Sequence, residues 1–146
     1  MPKTKIFCDI ADYKTIKEFN KKSIVNGFTT NPSLMRKVGA KSYEKYSKLL
    51  LKICNKKPIS LEVFADNFQE MEKQAYKINS WGKNVYVKIP VINSKGIFSG
   101  PLIKKLNKKK IKLNLNQKGY LIVDDLGILA QNGAWVRYSS LTVLAR

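Results

Sequence analysis

The chain has 146 residues, which is the size of one domain and enough to bury a core. Lysine and arginine outnumber aspartate and glutamate by 28 to 10, and histidine is absent. The two cysteines, Cys8 and Cys54, have neither metal-ligand nor disulfide-framework spacing, so we expect a reducing, cytoplasmic setting. The sequence shows no secretory signal, and no apolar run approaches the roughly 20 residues of a membrane span.

The formal net charge of +18 is the most unusual feature of the composition. Such a basic chain can bind nucleic acid, an anionic surface or a small anionic substrate such as a sugar phosphate. No acidic residue lies between Lys73 and Val123. The lysines are spread over several predicted helices without interleaved aromatic residues, which disfavours a nucleic-acid interface. An excess of lysine, asparagine and isoleucine is also typical of AT-rich genomes, so charge alone does not decide the function.

Strand and helix patterns alternate along the chain. Period-2 alternation predicts five strands, over residues 5–11, 27–30, 59–65, 84–90 and 110–114. Capping residues or first-turn prolines mark five helix starts, near Asp12, Pro32, Ser42, Asn67 and Ser99. This alternation predicts an α/β fold of parallel strands joined by crossover helices. By itself it fits either a doubly wound sheet or a barrel.

Each predicted strand has one apolar face, and its other face carries a polar residue near the carboxyl end. These residues are Asp9, Asn31, Glu62, Lys88 and Asn114. In a barrel these faces point inward, and active sites are built where the strands end. The pattern therefore favours a barrel with an active site. Two structural explanations stay open, because Lys88 can extend to solvent or the charged residues can form an ion-pair cluster.

A lysine flanked by carboxylates and amides suits Schiff-base chemistry with a carbonyl substrate. The amine must be neutral to attack, which burial favours and neighbouring carboxylates oppose. Asp9 and Glu62 would then move protons during carbinolamine formation, dehydration and carbon–carbon cleavage. Thr29, Asn31 and Asn114 would hold substrate hydroxyls. No metal is expected, because the chain has no histidine and no cysteine pair at ligand spacing.

Five motifs at these positions carry a resemblance to a known family. They are FCDIAD (7–12), GFTTNPSL (27–34), SLEVFAD (60–66), YVKIP (86–90) and KLN (112–114). With them the chain resembles the transaldolases and the related fructose-6-phosphate aldolases, which are class I aldolase-type TIM (β/α)8 barrels. Glu62 favours the transaldolases, because the aldolases tend to carry glutamine there.

The resemblance implies a cofactor-free transfer of a dihydroxyacetone unit between sugar phosphates in the pentose phosphate pathway. By matching position, Lys88 is similar to the family's Schiff-base lysine and Asp9 to its general acid/base. Glu62 is similar to the carboxylate that works through a water. Thr29 and Asn31 match the family's substrate-hydroxyl ligands, and Asn114 matches a further polar contact.

After Asn114 the resemblance ends. Asn116 stands where the family has a threonine, so either it replaces that threonine or a few residues are missing before it. Arg137 is a candidate phosphate ligand only because it is an arginine after a short apolar run. Lysine is common up to Lys118 and absent afterwards. We therefore expect a partial barrel over residues 1–118 and an atypical tail over 119–146, with tail strands near 119–123 and 134–143.

A partial barrel leaves strand edges open, so we expect either a homo-oligomer in which another chain closes the barrel or a protein of low stability. The leading hypothesis is a transaldolase-like enzyme. One alternative is a non-catalytic, transaldolase-derived fragment or interaction subunit. A basic nucleic-acid-binding module is the other, but it would leave the inward charged residues unexplained.

Overall fold

The computed structural model describes residues 5–116, 135–138 and 141–144. Strands and helices alternate up to the fifth strand. In chain order the elements are β1 (Ile6–Asp9), α1 (Tyr13–Phe19), β2 (Val25–Thr29), α2 (Pro32–Lys37), α3 (Tyr43–Cys54), β3 (Ile59–Glu62), α4 (Phe68–Asn79), β4 (Val85–Pro90), α5 (Gly100–Lys108), β5 (Leu113–Asn116), β6 (Trp135–Tyr138) and β7 (Leu141–Leu144). The chain folds into two compact units.

The first unit contains the residues up to Glu62 together with Ser80–Val85. Its strands β1, β2 and β3 are parallel, and their register aligns Asp9 with Thr29 and Thr29 with Ser60. Because side chains alternate along a strand, these three residues share one face of the sheet. That face therefore carries a polar residue on each of the three strands.

The opposite face of this sheet packs against the helices of the first unit. The fully buried apolar side chains include Ile16, Phe28, Met35, Leu50, Ile59 and Leu61. They lie on β2 and β3 and on the helices α1, α2 and α3. Burying each of the larger ones contributes about 1.5–3 kcal/mol relative to leaving it exposed.

Both ends of α1 have hydrogen-bonding partners for the backbone groups that a helix leaves unpaired. At the start, the Asp12 carboxylate accepts from the Thr15 amide at 2.8 Å and from the Thr15 hydroxyl at 2.6 Å. These bonds lower the pKa of Asp12. At the end, the Lys57 ammonium donates to the carbonyls of Asn20 and Lys22 at 2.7 and 2.8 Å. Asp12 is therefore a helix cap, whereas Asp9 stands on the strand.

The second unit contains Val63–Asn79 and the chain from Tyr86 onward. β4, β5 and β6 are parallel, and their register aligns Lys88 with Asn114. β7 pairs with β6 in the antiparallel direction. The buried apolar side chains of this unit include Met71, Ala75, Ile78, Val87, Ile89, Leu102, Ile103, Leu106, Leu113 and Leu115. An antiparallel pair after β5 departs from the repeat of parallel strand and crossover helix.

A small hairpin over residues 91–99 connects β4 to α5, and we call it the β4–α5 hairpin. Ile92 and Phe98 form an isolated antiparallel bridge. The Asp66 carboxylate accepts from the amide and the hydroxyl of Ser94, both at 2.7 Å. The Ser99 hydroxyl donates to the carbonyls of Pro90 and Val91 and makes no side-chain bond to the start of α5, where Pro101 lies in the first turn as the sequence predicts. The hairpin is thus fixed at its base and near its tip.

The α/β class with the repeat of a partial (β/α) barrel is confirmed. Several bounds differ from the predicted ones. β5 begins at Leu113 rather than near Lys110, because Lys110 has φ +59° and belongs to the turn that follows α5. The predicted strand at 119–123 lies outside the described residues, and the segment near 134–143 forms β6 and β7. The domain boundary at 118 and the homo-oligomer stay predictions.

Candidate active site

Asp9 and Thr29 form a direct pair at the carboxyl ends of β1 and β2. The Thr29 hydroxyl donates to Asp9 Oδ1 at 2.7 Å. Thr29 is buried, with 3% of its surface exposed, whereas Asp9 is exposed. A buried hydroxyl that donates to a carboxylate fixes the direction of that carboxylate without removing it from water. The first unit therefore presents an oriented, hydrated carboxylate.

On the same face of the sheet, the Phe7 ring lies next to this pair, two residues before Asp9 on β1. Gly27 lies beside Phe7 in the register of β1 and β2. A Cβ at Gly27 would lie 2.7 Å from Phe7 Cδ1 and 2.7 Å from the carbonyl oxygen of Pro58. Glycine is needed at this position because the ring occupies the space of a side chain. Phe7 thereby forms an apolar floor two residues before Asp9.

Asn31 lies just beyond β2 and caps α2. Its Oδ1 accepts from the Leu34 amide at 2.9 Å, and its backbone is extended, as is typical of a capping residue. Pro32 follows as the first residue of the helix. The cap uses the amide oxygen of Asn31, so the amide nitrogen is the group left to contact a substrate. The TTNPS motif therefore has a structural reason as well as a candidate binding role.

Glu62 ends β3, and its backbone is held by a tyrosine from α3. The Tyr43 hydroxyl accepts from the Glu62 amide at 2.8 Å and donates to the Glu62 carbonyl at 3.0 Å. The Tyr43 ring packs edge-on against Trp81, with ring centroids 5.9 Å apart. Burial raises the pKa of Tyr43, so its hydroxyl stays protonated. The Glu62 side chain is half-buried.

Lys88 is one of the largest fully buried side chains in the described part of the molecule, with 1% of its surface exposed. Its neighbours along β4, Val87 and Ile89, are fully buried on the opposite face of the strand. The prediction that Lys88 would point inward rather than extend to solvent is consistent with this burial. A buried amine is the arrangement that covalent catalysis through a lysine requires.

Asn114 lies beside Lys88 in the register of β4 and β5 and is fully buried. Two residues earlier on each strand, the Lys112 ammonium lies 5.7 Å from the centroid of the Tyr86 ring. Along this face, the exposed Lys112 ammonium and the Tyr86 ring come first, and the buried Lys88 amine and Asn114 amide follow. In the second unit, Lys88 and Asn114 are the two predicted site residues that the structure brings together.

Comparison with known proteins agrees with this arrangement of motifs. The family described as "Transaldolase/Fructose-6-phosphate aldolase" matches residues 6–116. The chain belongs to this family. A probable transaldolase from Dehalococcoides mccartyi is 35% identical over 111 residues, which cover 76% of this chain and 50% of that protein. A probable transaldolase from Methanococcus vannielii is 38% identical over 113 residues, covering 76% and 49%.

The match to the transaldolase family ends where β5 ends. The chain spans about half the length of the curated relatives that it matches. Asn116 is aligned with Pro90 on one side and with Arg137 on the other. Arg137 as a phosphate ligand stays a prediction, as do the roles of the six site residues.

Other findings concern metals and membranes. Within the described residues, no group of three or more His, Cys, Asp or Glu side chains could hold a metal ion. In the same residues, no helix has the length and apolar character that crossing a membrane requires.

Sequence reasoning missed the contacts of two tyrosines on α3. Apolar spacing predicts that Tyr43 and Tyr46 lie along one side of the helix that starts at Ser42, and both are partly buried. Their hydroxyls, however, bind the backbone of Glu62 and the carbonyl of Ala11. The available signal was the residue type, because a buried tyrosine needs a partner for its hydroxyl.

Proposed function

We propose that this chain carries transaldolase-type active-site residues and transfers a dihydroxyacetone unit between sugar phosphates through a Schiff base. The observation that carries this proposal is the buried Lys88 on β4 beside the buried Asn114. Membership of the transaldolase/fructose-6-phosphate aldolase family supports it, as do relatives named probable transaldolase. The substrates, the pathway and a cytoplasmic location belong to the proposal.

The reaction follows from the chemistry of each residue. The neutral Lys88 amine attacks the carbonyl carbon of a ketose phosphate, and the carbonyl oxygen takes up a proton to give a carbinolamine. Loss of water gives the iminium ion. A carboxylate removes the proton of the C4 hydroxyl, the C3–C4 bond breaks, and the aldose phosphate leaves while the C3 carbanion is held as an enamine. The enamine then attacks the aldehyde of the acceptor, and water releases the new ketose.

Asp9 and Glu62 are the proposed proton carriers. The Thr29 hydroxyl bond orients Asp9, and the Tyr43 hydroxyl holds the backbone of Glu62. Thr29, Asn31 and Asn114 are the proposed contacts for substrate hydroxyls. No cofactor is needed, because the iminium ion itself withdraws the electrons of the breaking bond.

The test is borohydride trapping with fructose 6-phosphate, analysed by intact-protein and peptide mass. We expect a stable adduct on the peptide that contains Lys88, and none in Lys88→Met. Circular dichroism of both proteins is the control that they are folded. Absence of an adduct on a folded wild-type chain would refute the enzymatic proposal.

A second candidate is a non-catalytic chain derived from a transaldolase. The antiparallel pair β6–β7, which interrupts the strand–helix repeat after β5, is the observation that favours it. It predicts a folded protein that gives no adduct at Lys88, so the same experiment separates the two. Nucleic-acid binding stays a prediction from charge, and it would require affinity that falls steeply with salt.

A further inference from the structure

We propose that Tyr43 and Tyr46 of α3 are positioning residues that hold the strand ends carrying Glu62 and Asp9. The inference rests on the proposed function for its catalytic consequence, but its structural part does not. The two tyrosines lie three positions apart, on one side of the helix. Each uses its hydroxyl to bind backbone at or just after the end of a strand of the first unit.

The need for Tyr43 arises where the ladder between β2 and β3 stops. The Phe28 amide donates to the Pro58 carbonyl at 2.8 Å, and the Thr30 amide donates to the Ser60 carbonyl at 3.2 Å. The next acceptor in this series is the Glu62 carbonyl, and the next donor would be residue 32. That residue is Pro32, which has no amide hydrogen and already begins α2.

The Tyr43 hydroxyl supplies the donor that Pro32 lacks. It donates to the Glu62 carbonyl at 3.0 Å and also accepts from the Glu62 amide at 2.8 Å, so one side chain binds both backbone groups of Glu62. Losing a hydrogen bond at a buried or partly buried position is costly. Without the hydroxyl, the backbone at the end of β3 would lose both of these bonds.

Tyr46 acts at the other carboxylate-bearing strand. Its hydroxyl donates at 2.8 Å to the carbonyl of Ala11, which lies between Asp9 and the cap of α1. The last ladder bond of this strand runs from the Ile10 amide to the Thr29 carbonyl at 3.0 Å. Tyr46 therefore fixes the turn directly after that bond. Burial raises the pKa of Tyr46, which keeps its hydroxyl a donor at neutral pH.

α3 is a rigid support for both contacts. Ser42 caps its start, and Leu50, Leu51 and Cys54 are buried along its length. Because the two tyrosines share this helix, a shift of α3 would move both strand ends together. A displacement of about 1 Å at a catalytic group can cost on the order of 100-fold in rate.

The experiment compares Tyr43→Phe with the control Tyr76→Phe. In the described residues the Tyr76 hydroxyl bonds only to the Glu72 side chain, so the control removes a hydroxyl without touching a strand end. The first measurement is amide hydrogen exchange at Glu62, with the Ile59 amide as an internal reference because its bond to the Asn84 carbonyl stays in place. We expect Tyr43→Phe to speed exchange at Glu62 by about ten-fold. Tyr76→Phe should leave it unchanged.

The second measurement separates positioning from a general structural role. In Tyr43→Phe, borohydride trapping at Lys88 should persist while turnover falls by about 10- to 100-fold, with an altered acid limb of the pH–rate profile. Loss of trapping and turnover in equal proportion would instead indicate general damage to the fold and would overturn the inference. If Tyr43→Phe does not fold, Tyr46→Phe is measured instead, with exchange followed at the Ile10 amide next to the turn that Tyr46 holds. Faster exchange there is expected, and unchanged exchange would refute the inference.

The outcomes distinguish this inference from the proposed function. Unchanged exchange at Glu62 would refute the positioning role whatever the activity. Faster exchange with unchanged turnover would also refute it. A wild-type chain that does not trap a ketose would overturn the proposed Schiff-base function, and the exchange at Glu62 would still decide whether Tyr43 holds the end of β3.

Discussion

Replacing Lys88 by methionine should abolish Schiff-base formation and yet leave the protein at least as stable. Lys88 is buried to 1% exposure within a sheet whose neighbouring residues Val87 and Ile89 are fully buried. Methionine has a similar length and no charge. Taking an ammonium out of water is costly, and replacing a buried ion pair by apolar groups of similar volume is often neutral or stabilising by about 1–4 kcal/mol.

The absence of a fully buried carboxylate among the described residues allows the same result. Breaking a buried ion pair is destabilising, by about 3–5 kcal/mol, when the partner that remains is itself buried. Every carboxylate in the described part of the chain stays in contact with water when Lys88 is replaced. We therefore expect the free energy of unfolding of Lys88→Met to stay unchanged or rise by about 2 kcal/mol, with a Tm increase of roughly 2–4 °C per kcal/mol.

The assay is urea unfolding followed by circular dichroism, beside borohydride trapping on the same samples. Val87→Ala is the matched control, because it removes buried apolar groups from the adjacent residue of β4 and should cost about 2 kcal/mol. A loss of about 3 kcal/mol or more in Lys88→Met would refute the reasoning. It would indicate that Lys88 serves a structural ion-pair cluster, the alternative that the sequence left open.

Two further predictions concern one unit each. Gly27→Ala should destabilise the protein by about 1–3 kcal/mol in urea unfolding, because the added methyl group overlaps the Phe7 ring; an unchanged midpoint would contradict the tight floor below the site. Asp66→Ala should speed tryptic cleavage after Lys95 several-fold, because Ser94 loses both bonds that hold the β4–α5 hairpin; an unchanged cleavage rate would argue against this anchor. These Ser94 bonds lower the pKa of Asp66 below its ordinary 3.8. Their contribution to the stability of the hairpin should therefore be intact above pH 4 and be lost as the pH falls through the folded-state pKa. The Ser94 amide signal in NMR would follow this loss.

The strand–helix order could be predicted from the sequence because local patterns agree with the fold at nearly every element. Asp12, Ser42 and Asn67 do cap their helices, as their positions before apolar stripes indicated. Residue alternation also gave the correct face for Lys88 and Asn114, since the two lie side by side and buried. Periodicity works here because it depends only on the geometry of each element.

The remaining features depend on contacts between elements, which no local pattern contains. The sequence could not show that the Ser99 hydroxyl turns to the Pro90 carbonyl, because that contact depends on the path of the β4–α5 hairpin. Nor could it show that the Tyr43 hydroxyl binds Glu62, nineteen residues away. The buried state of a tyrosine was predictable, but its partner was not.

The two units offer proposed catalytic groups in opposite surroundings. Asp9 is exposed and held by the Thr29 hydroxyl, whereas Lys88 is excluded from water. Low-dielectric surroundings favour the neutral amine that must attack a carbonyl, and contact with water lets a carboxylate exchange protons as the reaction proceeds. A nucleophile and an acid/base need these different conditions. The second unit meets the first condition by burying the middle of β4 on both faces, and the first unit meets the second condition by leaving Asp9 exposed at the end of β1.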